Sequence, residues 1–214
     1  MLTSTEINKS LAHYPIRSDV LIDILVGPSW VGKSWIVDQV KETHQFLLST
    51  TTRAPRPGET PGKEYNFISK IAFEGTLKRG EMINTFILHD EYYGYRSADV
   101  DRIISSGKIP IAIAYYKVLD SFLEKFPNSR IWFIFPPDTK AGREFIFQRI
   151  HNRDQEINSS RLTDFEEQMR LMYREKEGFR EKYPQGELVV IEDKQSAKIL
   201  AVIKLQKGLP VSSC

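Results

Sequence analysis

The chain has 214 residues, enough for one sizeable hydrophobic core with small inserted lobes. Hydrophobic residues make up 41% and charged residues 27%, and the net charge of +2 gives no reason to expect a nucleic-acid or membrane surface. The single cysteine, Cys214, excludes an internal disulfide and a thiolate metal cage. Because no apolar run is long enough to span a membrane, we expect a cytoplasmic protein.

The first strong signal follows an N-terminal extension predicted over residues 1–19. Residues 20–26 form an apolar run of strand length, and neither Gly nor Pro interrupts the helix predicted from 33 to about 43. The segment between them matches G-x-x-x-x-G-K-[ST], and its residues are Gly27, Pro28, Ser29, Trp30, Val31, Gly32, Lys33 and Ser34. Strand, glycine-rich loop and helix are the context in which this pattern binds phosphate, whereas the bare pattern also fits an ordinary turn.

The loop residues have separate expected roles. Backbone N–H groups and the helix N-terminus would surround a di- or triphosphate. Lys33 would reach the β and γ oxygens, and the Ser34 hydroxyl would ligate Mg²⁺.

A second basic segment, residues 51–59, contains two prolines that favour an extended backbone. Arg53 and Arg56 are three residues apart, so polyproline geometry places both guanidinium groups on one side. Such a pair would bind a phosphate with little loss of side-chain entropy. A solvated Pro/Arg loop is the alternative.

The remaining elements alternate between the two types of secondary structure. Further strands are predicted at residues 46–50, 65–68, 82–88, 111–114, 130–135 and 188–191. Helices are predicted at 70–80, 97–107 (with Ser97 as N-cap), 118–125, 162–173 and 196–205, and an aromatic turn at 91–95. This order indicates an α/β fold, with a parallel sheet covered by helices on both faces and a small lobe inserted into it.

Six motifs follow one another along the chain: GPSxxGKS at 27–34, STTTRAPRPGE at 49–59, Gly62 followed by EYNF at 64–67, YYG at 92–94, FIFPP at 133–137, and R-x-x-x-R at 149–153. In this order and spacing, residues 20–205 resemble the guanylate kinase family. The resemblance implies a P-loop NTPase-type domain at 20–214, with a nucleoside-monophosphate-binding lobe at about 45–97 and a lid at about 138–162. It also implies γ-phosphoryl transfer from MgATP to a nucleoside monophosphate.

The resemblance implies roles for individual residues. The residues matching the family's grip on the acceptor phosphate are Ser49, Arg53, Arg56, Tyr65 and Tyr93. Those matching the groups that neutralise charge during transfer are Lys33, Arg53, Arg149, Arg153 and Arg161. Expected partners are ATP, with Mg²⁺, and a nucleoside monophosphate; no nucleic acid or membrane is expected, and monomer and homodimer both stay open.

The base-reading and acidic positions depart from the family pattern. Asn84 stands where the family carries a glutamate that accepts hydrogen bonds from guanine, and Tyr95 replaces a small hydroxyl residue after YYG. An amide offers one acceptor and one donor group, which suits the edge of adenine, cytosine or hypoxanthine. Ile113 and Tyr115 replace two aspartates near the metal, so Mg²⁺ would be bound by Ser34, water and the phosphates.

Three alternatives to a kinase with altered base recognition stay open at this stage. Guanine could still be bound through Asp90 or Glu91, with Asn84 a product of drift. The chain could be a guanylate-kinase-like binding module with weakened catalysis, although such modules have a degraded phosphate loop. It could also phosphorylate a modified nucleotide or a sugar phosphate.

Overall fold

The computed structural model describes residues 14–28, 31–137, 139–142, 144, 148, 169–170, 174, 176–190 and 196–207. Internal contacts divide the chain into two compact units. The first consists of the residues up to Asp23 and of His44–Ser129, and the second of Ile24–Thr43 and the residues from Arg130 onwards.

Strands and helices alternate along the chain. The strands are β1 (Asp23–Val26), β2 (His44–Phe46), β3 (Thr50–Thr51), β4 (Asn66–Phe67), β5 (Met82–Leu88), β6 (Glu91–Arg96), β7 (Ile109–Ala114), β8 (Arg130–Phe135) and β9 (Gly186–Val190). Helices lie at α1 (Lys33–Gln39), α2 (Lys70–Lys78), α3 (Ser97–Ser105), α4 (Leu119–Lys125), α5 (Lys176–Lys182) and α6 (Ser196–Lys207), and a 3-10 turn at Tyr116–Val118 precedes α4. None of these helices is long and apolar enough to cross a membrane.

In the second unit, β1, β8 and β9 are neighbours in that order, and β8 and β9 run parallel. Every residue of β1 is buried, as are all residues of β8 after the first. Phe133 of β8 stacks on Phe179 of α5, with ring centroids 5.4 Å apart. Continuous apolar burial is typical of parallel strands covered on both faces, as the sequence predicts.

The first unit contains the parallel pair β2–β7 and a four-stranded sheet in the order β4-β3-β6-β5. In this sheet β6 runs antiparallel to both β3 and β5, whereas β3 and β4 are parallel. A small core forms where Phe73 and Leu77 of α2 meet Met82 and Tyr92. It packs against the four-stranded sheet, which carries three of the side chains expected to bind an acceptor, Asn84, Tyr93 and Tyr95.

Residues 14–19 of the predicted extension pack within the first unit. The rings of Tyr14 and Phe126 lie 5.8 Å apart, and Arg17 donates hydrogen bonds to Asp19 and Asp101. The first thirteen residues lie outside the described part, and the domain boundaries drawn from the sequence stay predictions.

A buried hydrogen bond joins Asp23, the first residue of β1, to His44, the first residue of β2, and both residues belong to the first unit. His44 Nε2 lies 2.8 Å from Asp23 Oδ2, and both side chains are almost wholly buried, at 1% and 0% exposure. A buried carboxylate is tolerated only when it is paired. The sequence offered no hint of this contact, because the two residues are 21 positions apart.

Two local predictions are wrong. The aromatic segment 91–95 is not a turn but belongs to β6; the turn lies at His89 and Asp90, whose φ angles are +49° and +60°. Ser97 is not the N-cap of α3: that position is Arg96, and the Ser97 hydroxyl donates to Glu81 O at 3.1 Å. The hydroxyl thus joins the start of α3 to Glu81, the residue that precedes β5.

Candidate active site

The phosphate loop depends on two glycines, each for a different reason. A Cβ atom on Gly27 would lie 2.2 Å from Ile134 O, so the loop crosses β8 too closely for any side chain. Gly32, the N-cap of α1, has φ +100°, in the left-handed region that glycine adopts without strain. Pro28 and Val31 are buried, whereas Ser29 and Trp30 lie outside the described residues.

Lys33, the first residue of α1, turns its ammonium group back onto the loop. Nζ donates to Gly27 O at 2.7 Å and to Pro28 O at 2.6 Å. Burial lowers the pKa of Lys33 to about 7, since no carboxylate of the described residues pairs with the charge. A polyphosphate anion would supply the missing negative charge.

Ser34 follows Lys33 and is exposed in the first turn of α1. Its hydroxyl is therefore accessible to a metal ion bound with a nucleotide. Among the described residues no cluster of three His, Cys, Asp or Glu side chains could hold a metal by itself. A hydroxyl oxygen such as that of Ser34 fits the oxygen ligands that Mg²⁺ takes beside phosphate and water.

In the first unit, Arg53 is held in place by Glu59 and two aromatic rings. Nη1 and Nη2 donate to the two Glu59 oxygens at 2.9 and 3.0 Å, and Nη1 also donates to Ala54 O at 2.7 Å. The guanidinium carbon lies 5.2 Å from the Tyr65 ring centroid and 5.5 Å from that of Phe67. Burial opposes the charged form, but the bonds to Glu59 outweigh it and raise the pKa of Arg53.

This arrangement leaves two N–H donors of the Arg53 guanidinium group for a ligand. A guanidinium has five N–H donors, of which the bonds to Glu59 and Ala54 use three. Nε–H and the second Nη2–H point the same way, and no described residue accepts from them. Two parallel donors are the geometry that binds a phosphate in bidentate fashion.

Glu59 also organises the rest of the proline segment. Its Oε2 accepts from the backbone N–H of Arg56 at 2.8 Å, so one carboxylate ties both arginine positions together. Partial burial alone would raise the pKa of Glu59, but the hydrogen bonds from Arg53 and from the Arg56 backbone keep it below its usual range. Arg56 itself is exposed.

A row of aromatic rings continues from Arg53 across the first unit. Tyr65 meets Tyr93 edge-on at 6.2 Å, and Tyr93 stacks on Phe86 at 5.2 Å with an interplanar angle of 13°. Phe86 then stacks on Tyr115 at 6.1 Å. Burial raises the pKa of Tyr65, so its hydroxyl stays a hydrogen-bond donor at neutral pH. Tyr115, which stands where the family pattern has an aspartate, thus extends the row of aromatic rings.

The two predicted base-reading residues lie on neighbouring strands of the four-stranded sheet. Asn84 is 2% exposed and accepts a hydrogen bond from the Ser121 hydroxyl of α4. Tyr95 is 3% exposed, packs on Phe122 of the same helix, and donates to Ile113 O at 2.9 Å. Two of the departures noted in the sequence, at 95 and 113, are therefore in direct contact.

Ser49, predicted to hold the acceptor phosphate, precedes β3. Its hydroxyl donates to Gly94 O at 3.2 Å. A Cβ atom on Gly94 would lie 2.7 Å from Thr85 Cγ2 and 2.9 Å from Met82 Cε, so a side chain there would require both residues to move. The glycine of the YYG motif thus lies where β6 comes close to side chains of β5.

Comparison with known proteins decides the family. A model of the guanylate kinase family matches residues 21–179. The chain belongs to the guanylate kinase family. The family identification drawn from the sequence is confirmed.

Individual relatives agree. The chain is 30% identical to guanylate kinase from Helicobacter pylori over 156 residues, which cover 71% of the chain and 75% of that protein. It is 31% identical to guanylate kinase from Bdellovibrio bacteriovorus over 153 residues, covering 69% and 80%. The crystal structure of guanylate kinase from Anaplasma phagocytophilum matches with a TM-score of 0.62 at 18% identity, over 91% of this chain and 88% of that one. This structural match confirms the predicted α/β P-loop fold.

Several predicted residues of this guanylate kinase family member stay predictions. Arg149, Arg153 and Arg161, together with most of the predicted lid, lie outside the described residues. Sequence reasoning also missed two contributors: Glu59, which it quoted only as part of a motif, and Ser121, for which no local pattern gives a signal. The spacing of Arg53 and Glu59 within one proline-rich turn could have indicated the first.

Proposed function

We propose that this chain transfers the γ-phosphoryl group of ATP to a nucleoside monophosphate, with GMP or a related purine nucleotide as acceptor. The observation that carries the proposal is the buried Lys33 ammonium, which donates to loop carbonyls and lacks a carboxylate partner among the described residues. An anion at the loop would stabilise this charge. Relatives named guanylate kinase support the choice of acceptor.

On the donor side, the chain's own groups bind and orient a polyphosphate. The glycine positions let loop backbone N–H groups approach it, and Lys33 would exchange its two carbonyl partners for phosphate oxygens. Ser34 would hold Mg²⁺ together with the phosphates. When bound with ATP, Mg²⁺ supplies positive charge that neutralises the β and γ oxygens.

On the acceptor side, Arg53 orients the monophosphate through its two remaining N–H donors, assisted by Ser49, Arg56, Tyr65 and Tyr93. An oxygen of this phosphate attacks the γ-phosphorus, a new P–O bond forms, and the bond to the β–γ bridging oxygen breaks, so that ADP leaves with the electron pair. The attacking oxygen carries no proton at neutral pH, and no general base is needed. Positioning and positive charge therefore supply the catalysis.

The test is release of ADP from MgATP with a panel of GMP, IMP, AMP and CMP. We expect turnover with at least one purine monophosphate, and turnover roughly 10³-fold lower with Lys33→Met. ATP binding without turnover on any acceptor would contradict the proposal and favour a guanylate-kinase-like binding module. Turnover only with a sugar phosphate or a modified nucleotide would redirect it to that acceptor.

A further inference from the structure

Asn84 occupies an irregular point in β5. The pairing of β5 with β6 shifts register between Ile83 and Phe86, and Asn84 has φ +55°. Asparagine is among the few residues that adopt this left-handed conformation readily. A bulge of this kind redirects a side chain out of the ordinary strand alternation.

The bulge also carries unsatisfied polar groups. Asn84 Nδ2 and Thr85 Oγ1 are both buried and have no hydrogen-bond partner among the described residues. A buried donor without a partner is destabilising, so groups of this kind need an explanation. A ligand that supplies the missing partner is one explanation.

The Ser121 hydroxyl lies within hydrogen-bonding distance of two acceptors. One is Asn84 Oδ1, and the other is Val118 O, one helical turn back, at 2.9 Å. A serine hydroxyl has a single proton, so it donates to only one of them at a time.

This choice couples the hydroxyl to the orientation of the Asn84 amide. When Ser121 donates to Asn84 Oδ1, the amide presents its N–H₂ donor on the other side. When Ser121 donates to Val118 O, its oxygen lone pair can accept from Asn84 Nδ2 after a half-turn of the amide. The amide then presents its carbonyl acceptor instead.

We propose that Ser121 is a positioning residue that holds the Asn84 amide in either orientation, so that the site accepts both 6-oxo and 6-amino purine monophosphates. The inference rests on the proposed function. Ring nitrogen N1 carries a hydrogen in 6-oxopurines and a lone pair in 6-aminopurines, so the first needs the amide carbonyl and the second the amide N–H₂. A glutamate at this position could only accept, and would bind the 6-oxo class alone.

Two substitutions separate the orientations. Asn84→Asp keeps the shape but removes the donor, so kcat/KM with AMP should fall roughly tenfold while that with GMP or IMP is retained. Ser121→Ala leaves the amide unheld, so KM for GMP and AMP alike should rise roughly threefold to tenfold with kcat unchanged. Ser121→Thr, which keeps the hydroxyl, should restore wild-type KM values.

The matched control is Ser129→Ala. Ser129 is buried, lies close to α4 in sequence, and donates to the carbonyl of Phe126 three residues back at 2.8 Å, but has no asparagine partner in the described structure. Equal KM changes in the two alanine variants would overturn the inference by showing a purely structural role. The inference would also be overturned if Ser121→Ala raised KM by the same factor in an Asn84→Ala background as in the wild type.

The outcomes for the two proposals are distinguishable. If the wild type turns over GMP but discriminates against AMP by at least 10³-fold, this inference alone is overturned. The same holds if the wild type turns over GMP and Ser121→Ala is kinetically indistinguishable from it. Absence of turnover with every monophosphate overturns the proposed function, and the inference with it. Comparable kcat/KM values for GMP and AMP in the wild type, reduced selectively by Asn84→Asp, support both.

Discussion

The phosphate loop and the strands around Asn84 are built on different principles. In the loop, backbone geometry determines the residues: Gly27 has no room for a side chain, and Gly32 adopts a positive φ. Around Asn84, the proposed base recognition would depend on which side-chain atom faces which partner, and the partner Ser121 is 37 residues away in sequence. A site whose residues are constrained by backbone geometry can therefore be predicted from a sequence motif. A site that depends on side-chain hydrogen bonds can change its ligand specificity through one substitution.

Lys33→Met is expected to have the largest effect and to test the loop half of this comparison. Phosphoryl transfer should fall roughly 10³-fold, because the loop loses its charge toward the phosphates. The thermal midpoint should stay the same or rise, since a poorly compensated buried ammonium is removed. Lys41→Met removes an exposed lysine paired with Asp38 and is the control for steady-state kinetics and thermal unfolding. Retention of more than a tenth of the activity would contradict a phosphate-binding role.

Arg53→Lys should follow, with roughly a 10²-fold fall in kcat/KM for the acceptor. Lysine lacks the planar fork that binds Glu59 with two donors and leaves two more for a phosphate. The matched control is Arg79→Lys, which breaks a similar two-donor pair with Glu81 at an exposed site. Similar kinetics for the two variants would show that the Arg53–Glu59 pair is structural only.

Gly32→Ala tests whether the loop is limited by its backbone. The left-handed conformation costs a residue with a Cβ atom about 1–2 kcal/mol, and the distorted loop should bind ATP roughly tenfold more weakly. Gly75→Ala is the matched change: Gly75 lies within α2, and its new Cβ atom would come no closer than 3.4 Å to Arg79 Nη1. That variant should gain up to about 1 kcal/mol. Urea unfolding and ATP titration would give both values, and equal destabilisation would contradict the assignment.

The lowered pKa of Lys33, about 7, predicts proton uptake when ATP binds at pH 8. The free group is then mostly neutral, and the phosphates favour its charged form. Calorimetry in two buffers of different ionisation enthalpy should show most of one proton taken up, and none for Lys33→Met. In the ligand-free protein this lysine binds fewer protons than the unfolded chain between pH 7 and 10.5, so its contribution to stability should rise with pH in that window. A flat difference between wild type and Lys33→Met would contradict the shift.

Tyr95→Phe is expected to have the smallest effect, and it tests the side-chain hydrogen bonds around the predicted base-reading residues. Removing the hydroxyl that donates to Ile113 O should lower the free energy of unfolding by about 1 kcal/mol. Burial raises the pKa of Tyr95, so the effect should be constant across neutral pH. Tyr92→Phe, which loses a longer 3.4 Å bond to Glu74, should cost less. Urea unfolding gives both values. A larger loss of unfolding free energy for Tyr92→Phe than for Tyr95→Phe would contradict this account of the contact between Tyr95 and Ile113.

The sequence was sufficient for elements whose residue types reflect their environment. β5 and β8 have the predicted bounds because continuous apolar runs mark buried strands. The hairpin turn was misplaced because His89 and Asp90 take the positive φ angles in place of the usual Asn-Gly pair, while the tyrosines of β6 have high strand propensity.

Within the candidate site, the same distinction holds. The phosphate loop and the arginine segment could be predicted from the sequence because their spacing is local. Ser121, the partner of Asn84, could not be predicted, because a serine in the first turn of a helix has no distinguishing sequence pattern. Only tertiary packing brings it to the strand. Tyr95 was noted as a departure from the family pattern, but its bond to the Ile113 backbone is visible only in three dimensions.

The buried pair of Asp23 and His44 has an evolutionary consequence. Replacing either residue alone would leave its partner's polar group enclosed, so single-step divergence at these positions is disfavoured. Among descendants of this sequence, both columns of an alignment should therefore change together, to another complementary pair or to two apolar residues. Such paired exchange would mark lineages in which both residues of this buried contact were replaced together.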